Sequence, residues 1–158
     1  MSIERAKAHL VKYGLDSRIQ EFTVSSATVA LAAEALGTEG KRIAKTLSFM
    51  KGEEVILVVA AGDAKVDNRK FKDTFATKAK MIPFESVEAL VGHAVGGVCP
   101  FGVNEGVKVY LDVSLKRFET VFPAVGTSSS AIELTLEELE RASEYISWVD
   151  VTSIPCDD

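Results

Sequence analysis

The sequence predicts a mixed α/β fold of the α+β kind, in one domain over residues 1–158. Three observations carry this. Residues 43–50 and 54–61 are two strand patterns, the second rich in valine, separated by a Lys51-Gly52 turn, and together they read as a hairpin. Capped helical patterns interrupt the strands at irregular intervals. Short strands return from residue 108 onward without regular strand–helix alternation. Hairpins and crossovers are therefore both required, and a clean doubly wound sheet is excluded.

In order, Ser2 caps a helix over 3–13, with Ile3, Ala6, Leu10 and Tyr13 on one face and Gly14 as its stop. Residues 18–22 alternate as a short strand. Ser25 or Ser26 caps an alanine-rich helix over 28–36 that ends at Gly37, and its small side chains permit close packing on a sheet. Residues 38–42 form a polar turn before the hairpin, which Gly62-Asp63 ends. Asp67 caps a helix over 68–75, residues 80–82 are a short strand before Pro83, and Ser86 caps 87–91 with Gly92 as stop. Residues 108–113 and 120–125 read as strands around a helical turn at 114–118. A small polar loop at 126–130 precedes a strand over 131–134. Thr135 and Glu138 form a capping box for a helix to Ser143. Trp148 and Val149 pack back on the core, and 155–158 fray.

Composition narrows the function classes. With 47% apolar and 26% charged residues the chain is globular. Its longest apolar run, 55–61, falls far short of the roughly 18–20 residues of a membrane span. Residues 1–5 carry no apolar signal segment, so the expectation is a cytoplasmic protein without a membrane partner. Cys99, Cys156, His9 and His93 are the only cysteines and histidines. Their spacing fits neither a zinc site nor a disulfide framework, and no metal or cofactor is expected. A net charge of −5 argues against broad coating of nucleic acid. The charge is uneven, however. Residues 63–80 hold six basic against three acidic side chains, while 133–158 hold one basic against eight acidic. A basic face on an acidic protein suits a partner touched along one edge, such as an RNA end; a solvated helix face has the same composition.

Two stretches carry candidate chemistry. Between His93 and Asn104, Gly96, Gly97, Pro100 and Gly102 lie within seven residues. Glycines let backbone approach a ligand, and Pro100 keeps Cys99 out of the helical region. Such a loop either aims backbone N–H groups at an oxygen or is an ordinary tight turn. Lys45 lies in the first hairpin strand, where period-two alternation places it with Ile43, Leu47 and Phe49 on one face. A lysine there is either an edge residue that snorkels outward or a cleft cation that holds a carbonyl, carboxylate or phosphate oxygen. Cys99 raises a nucleophile reading, which needs a base within reach, and His93 is near only in sequence. No Walker loop, nucleophile elbow or general base is nominated. An enzyme built from these residues rests on positioning and backbone electrostatics.

Four segments in order, Arg42-Ile43-Ala44-Lys45-Thr46-Leu47, Gly62-Asp63-Ala64-Lys65-Val66-Asp67, Gly96-Gly97-Val98-Cys99-Pro100-Phe101-Gly102 and Ile132-Glu133-Leu134-Thr135, resemble the YbaK/EbsC family. These are free-standing relatives of the editing domain inserted in bacterial prolyl-tRNA synthetases. The similarity runs from about Ala6 to Leu139. It implies a mixed, partly barrel-like sheet flanked by helices and an aminoacyl-tRNA deacylase without cofactor. The partner it implies is the acceptor end of a misacylated tRNA, with a synthetase as a further candidate. The family's essential lysine matches Lys45, and its Gly-x-x-x-Pro loop matches 96–100. Under this resemblance Lys45 anchors substrate and Gly96 and Gly97 form an oxyanion site. Val98, Cys99, Pro100, Phe101, Gly102, Asp63 and Lys65 bind substrate, Phe101 as a stacking or pocket residue, with an ordinary core phenylalanine as the alternative. Cys99 stands where many relatives carry serine, and 126–130 lacks the arginine pair that YbaK itself carries. The resemblance is therefore to the EbsC-like branch and a generic misacyl-tRNA deacylase. A non-catalytic aminoacyl-tRNA or synthetase binding module is the alternative.

Overall fold

The structure, a computed structural model, describes residues 2–22, 29–95 and 97–155. Helix α1 (Ser2–Val11) includes Ser2 rather than being capped by it, and ends before residues 12–14, which form a turn. Gly14 takes φ 71° there, and Ala6 and Leu10 are fully buried, as the predicted face requires. The strand expected at 18–22 narrows to β1 (Gln20–Glu21) because a 3-10 turn occupies Asp16–Arg18. The Ser25 or Ser26 cap lies outside the described residues; the helix after it is α2 (Val29–Leu36).

Strands β2 (Ile43–Lys51) and β3 (Glu54–Ala61) form the predicted antiparallel hairpin, with Lys45 opposite Ala60. Gly52 turns it at φ 62°. β4 (Lys65–Val66) is too short to show a period in the sequence. In α3 (Asn68–Phe75), the Asp67 carboxylate accepts from the Arg69 and Lys70 amides at 3.1 Å, as its capping role predicts. Residues 80–82 form only an isolated bridge between Met81 and Phe49, so no full strand stands there. Helix α4 (Val87–Val91) follows a 3-10 turn over Phe84–Ser86, and Ser86 makes no side-chain cap. The turn itself supplies the entry.

Beyond the Gly/Pro loop come β5 (Lys108–Asp112), a 3-10 turn over Val113–Arg117, and β6 (Thr120–Pro123). The strand expected at 131–134 splits into β7 (Ser130–Ala131) and β8 (Leu134–Thr135), with the Ile132 amide donating to the Pro123 carbonyl between them. The Thr135–Glu138 capping box opens α5 (Leu136–Ser143). β9 (Ser147–Val149) and β10 (Thr152–Ser153) follow. No helix of the described residues is long and apolar enough to cross a membrane.

The main sheet has the order β8-β6-β2-β3-β5-β9, curled and mixed. β2–β3 and β6–β8 are antiparallel, and β2–β6, β3–β5 and β5–β9 are parallel. β1 pairs with β7, and β4 with β10, as two-stranded ribbons. β3 is buried from Ile56 to Ala61 because both of its faces are covered, which explains its unbroken apolar run. Leu57 and Val59 face the core that includes Leu10, Phe101 and Leu139. Ile56 and Val58 face Phe49, Phe71 and Phe75, whose rings pack at 4.8 and 4.7 Å. Such aromatic pairs add about 0.5–1.5 kcal/mol each beyond area burial.

The site follows from how β2 changes partners. β6 pairs with it only at Ile43 and Ala44. Further along the same edge, the Met50 amide reaches the Lys80 carbonyl at 2.9 Å, and the Ile82 amide reaches the Ser48 carbonyl at 3.2 Å. Between these pairings, residues 45–47 have no strand on that edge among the described residues.

Candidate active site

The gap beside β2 opens on a mostly apolar cavity of about 380 Å³. Val29, Ala32 and Leu36 of α2 line it, together with Met81, Phe84 and Val87. Lys45, Thr46, Ser48 and Ser130 are the polar side chains on its wall.

Lys45 is half-buried, and its Nζ donates to the Gly62 carbonyl at 3.3 Å and the Ala64 carbonyl at 2.5 Å. The turn that presents these carbonyls depends on glycine, since a Cβ on Gly62 would overlap the Gly40 carbonyl oxygen. An ammonium has three N–H groups, so one remains for a ligand. Burial pushes the Lys45 pKa below its ordinary value; Asp63 opposes that shift, and Lys65 adds to it. Asp63 itself is occupied, accepting from Arg117 at 2.6 and 3.1 Å. The Arg117 hydrogen bond holds the Asp63 carboxyl below the usual carboxylate range against the pull of burial. Asp63 and the exposed Lys65 therefore reach Lys45 through charge, with no hydrogen bond to it.

The loop is only partly assembled as expected. Gly96 lies outside the described residues. The Gly97 amide donates to the Ala94 carbonyl at 3.0 Å, so the turn consumes the donor that an oxyanion role for Gly97 requires. A Cβ on Gly97 would sit 2.5 Å from the Gly126 and Thr127 backbone. The two small-residue loops, separate in the sequence, thus lie in contact. Ser130 ties the second loop together, its Oγ accepting from Thr127 Oγ1 at 2.8 Å and from the Val125 amide at 3.3 Å. Val98 lines the cavity. Pro100 and Gly102 line a different depression, beside His9 and Glu144.

Cys99 and Phe101 are fully buried in the core. Phe101 therefore offers no ring face to a base, which corrects the stacking role. His93 is also buried, with Nε2 donating to the Phe101 carbonyl at 2.6 Å and Cys99 Sγ 3.6 Å away. Burial lowers the His93 pKa and pushes the Cys99 thiol up to about 12. A neutral imidazole beside a neutral thiol does not make a nucleophile.

Thr46 is the wall residue that sequence reasoning passed over. Its Oγ1 is buried with no hydrogen-bond partner among the described residues. An unmet buried hydroxyl costs about 1–3 kcal/mol, which a polar ligand group would recover. The available signal was a threonine next to Lys45 in a strand, which alternation alone assigns to the opposite face.

Residues 23–142 match the family described as the aminoacyl-tRNA editing domain. An uncharacterised Bacillus subtilis protein, YwhH, is 51% identical over 96% of this chain and 97% of its own length. A Listeria innocua proline–tRNA ligase is 26% identical over 86% of this chain, which spans only 24% of that ligase. A candidate Cys-tRNA(Pro)/Cys-tRNA(Cys) deacylase, EbsC of Enterococcus faecalis, is 28% identical over 68% of this chain and 66% of its own. A solved structure described as a candidate trans-editing enzyme for prolyl-tRNA synthetase superposes with a TM-score of 0.86 at 28% identity, covering 96% of this chain and 97% of that one.

Proposed function

The chain belongs to the aminoacyl-tRNA editing family, and on that premise we propose that it is a trans-acting deacylase of misacylated tRNA. Its substrate is the ester of a small wrong amino acid on a tRNA 3′ end, with tRNA(Pro) as the leading case. The names of the EbsC and trans-editing relatives support this reading, and the prolyl-tRNA ligase match supports the tRNA. The observation that carries it is Lys45, a cation with one N–H unspent, on the wall of an apolar cavity.

The residues divide the work as follows. The apolar cavity takes the amino acid side chain. Lys45 holds the substrate carbonyl or the terminal phosphate as a point charge. Water attacks the carbonyl carbon, oriented by the loop or by the terminal ribose 2′-hydroxyl. The resulting oxyanion collapses, the C–O bond to the ribose breaks, and the departing ribose oxygen takes up the proton that the attacking water gives up, leaving a free amino acid and a 3′-hydroxyl. Backbone amides of the 96–100 loop stabilise the oxyanion. With the Gly97 amide engaged, this role passes to Val98 on the cavity wall and to Gly96. Losing one such donor typically costs about 2.7–4 kcal/mol. Recruitment by a synthetase belongs to the same proposal.

The test is deacylation of tRNA(Pro) charged with alanine, cysteine, serine or proline, wild type beside Lys45→Ala. Selective release of one non-cognate residue, lost in the variant, is expected. Full activity in a folded Lys45→Ala protein overturns the mechanism. Among the described lining residues there is no carboxylate or histidine, which favours one second reading, a binding module that holds aminoacyl-tRNA without hydrolysis. Binding without turnover across a wider panel of misacylated tRNAs would establish it.

A further inference from the structure

Three large apolar side chains on the cavity wall face solvent: Phe84 is 74% exposed, Met81 58% and Val95 45%. Single exposed apolar residues need no explanation, but three around one opening do. The backbone beneath Met81 and Phe84 is pinned. The Ile82 and Met50 amides tie the segment to β2, and the Ser86 amide donates to the Pro83 carbonyl at 2.9 Å, closing the turn that carries Phe84. The fold thus holds the ring outward beside the opening.

Charge says what the ring meets. Lys78 and Lys80 lie just ahead on the same segment, both exposed, and neither has a carboxylate partner among the described residues. The chain as a whole carries a net charge of −5, so unpaired lysines beside an exposed aromatic favour a polyanion that also has flat apolar faces. Single-stranded RNA fits both demands, its phosphates meeting lysines and its bases stacking on aromatic rings. An apolar peptide would use the ring and leave the lysines unanswered.

We propose that Phe84, flanked by Met81 and Val95, is the platform on which the terminal base of an RNA 3′ end stacks while the aminoacyl group enters the cavity, with Lys78 and Lys80 meeting the phosphates behind it. The cavity's occupant rests on the deacylase reading; the stacking does not. The buried Phe101 cannot fill this role, whereas Phe84 stands exposed on the cavity wall.

The experiment uses an acceptor-stem RNA hairpin ending in single-stranded CCA and the same hairpin with an abasic terminal nucleotide. Phe84→Trp supplies a fluorophore, read against the Trp148 background, and Phe84→Ala removes the ring. Quenching of the introduced indole's emission by the CCA hairpin, weaker by tenfold or more in affinity with the abasic end, is expected. So is a tenfold or greater rise in KM for misacylated tRNA in Phe84→Ala, with kcat held and KM restored in Phe84→Trp. Equal affinity of the Phe84→Trp protein for both hairpins overturns the platform, even if hydrolysis proceeds. Quenching that depends on the terminal base, with no hydrolysis of any ester, upholds the platform and overturns the deacylase reading. A Phe84→Ala protein with unchanged RNA binding but a lost contact to a synthetase makes this a protein-docking face and overturns the proposal.

Discussion

The Lys45 ammonium lies 2.5 Å from the Ala64 carbonyl oxygen, on the turn that ends β3. The lysine is therefore restrained by backbone dipoles, and no carboxylate among the described residues forms an ion pair with it. The nearby acid, Asp63, is turned to Arg117. The charge in the cavity stays available to an incoming oxygen.

Removing that charge separates function from folding. Lys45→Met keeps most of the apolar stem and deletes the ammonium. Hydrolysis should fall by about 10²–10³-fold in kcat, the scale for losing one preorganised donor. Stability should change little, because the desolvation cost of a half-buried cation without a counter-ion offsets the hydrogen bonds that the Gly62 and Ala64 carbonyls lose. A single-turnover assay beside thermal unfolding checks both, and a large drop in Tm would contradict this account of Lys45.

The same residue sets a pH dependence with opposite signs for activity and stability. The ammonium form holds the substrate oxygen, so hydrolysis is retained below the folded Lys45 pKa and lost as pH rises through it, below the ordinary 10.5. Within the window between the lowered folded value and 10.5, the unfolded chain binds more protons than the folded one. Lys45 therefore adds to stability as pH climbs through that window. Asp63 raises the Lys45 pKa, so Asp63→Asn should move the alkaline limb of the activity profile to lower pH. The rate, corrected for spontaneous ester hydrolysis, is the readout. An unmoved limb would show that Asp63 does not act on Lys45 through charge.

How much of this could be read from the chain depended on whether the signal was local. The β2–β3 hairpin, the Asp67 cap and the Thr135–Glu138 box were legible because turn and capping chemistry sits within a few residues. β4 and β10 were not, since two-residue strands have no period and exist only through their pairing. Lys45 was legible as a charge in an apolar strand. Its partners, Gly62 and Ala64, were inside a motif already singled out, but their role depends on how the turn folds back on β2. The stacking or pocket role of Phe101 follows from the family resemblance alone; the alternative of a core phenylalanine is the one the structure bears out, because the loop folds inward and buries the ring. The contact between Gly97 and Thr127 is invisible to any local rule.

That contact predicts a steep penalty for one methyl group. In Gly97→Ala the new Cβ meets the Gly126 and Thr127 backbone at 2.5 Å, and backbone cannot swing aside as a side chain does. The two loops must separate, at a cost of about 1–3 kcal/mol for overpacking. Val98 moves with its neighbour, so kcat should fall by more than the stability loss alone explains at a temperature where the variant is folded. Unchanged kcat would detach the loop from the chemistry.

Cys99 tests whether the nucleophile is protein or water. The thiol is fully buried, its pKa is pushed up to about 12, and its histidine neighbour is held neutral by burial. In a Cys156→Ser background, a thiol reagent should label Cys99 only at the rate of unfolding. Cys99→Ala should retain hydrolysis within a few fold, since no reacting atom is removed. It should lose stability by roughly 1 kcal/mol, the scale of a small buried side chain trimmed in a packed core. Fast labelling of the native protein, or hydrolysis abolished in a folded Cys99→Ala, would put a thiolate in the site. It would also require the loop to open far enough to expose Cys99, which its burial against the Phe101 carbonyl opposes.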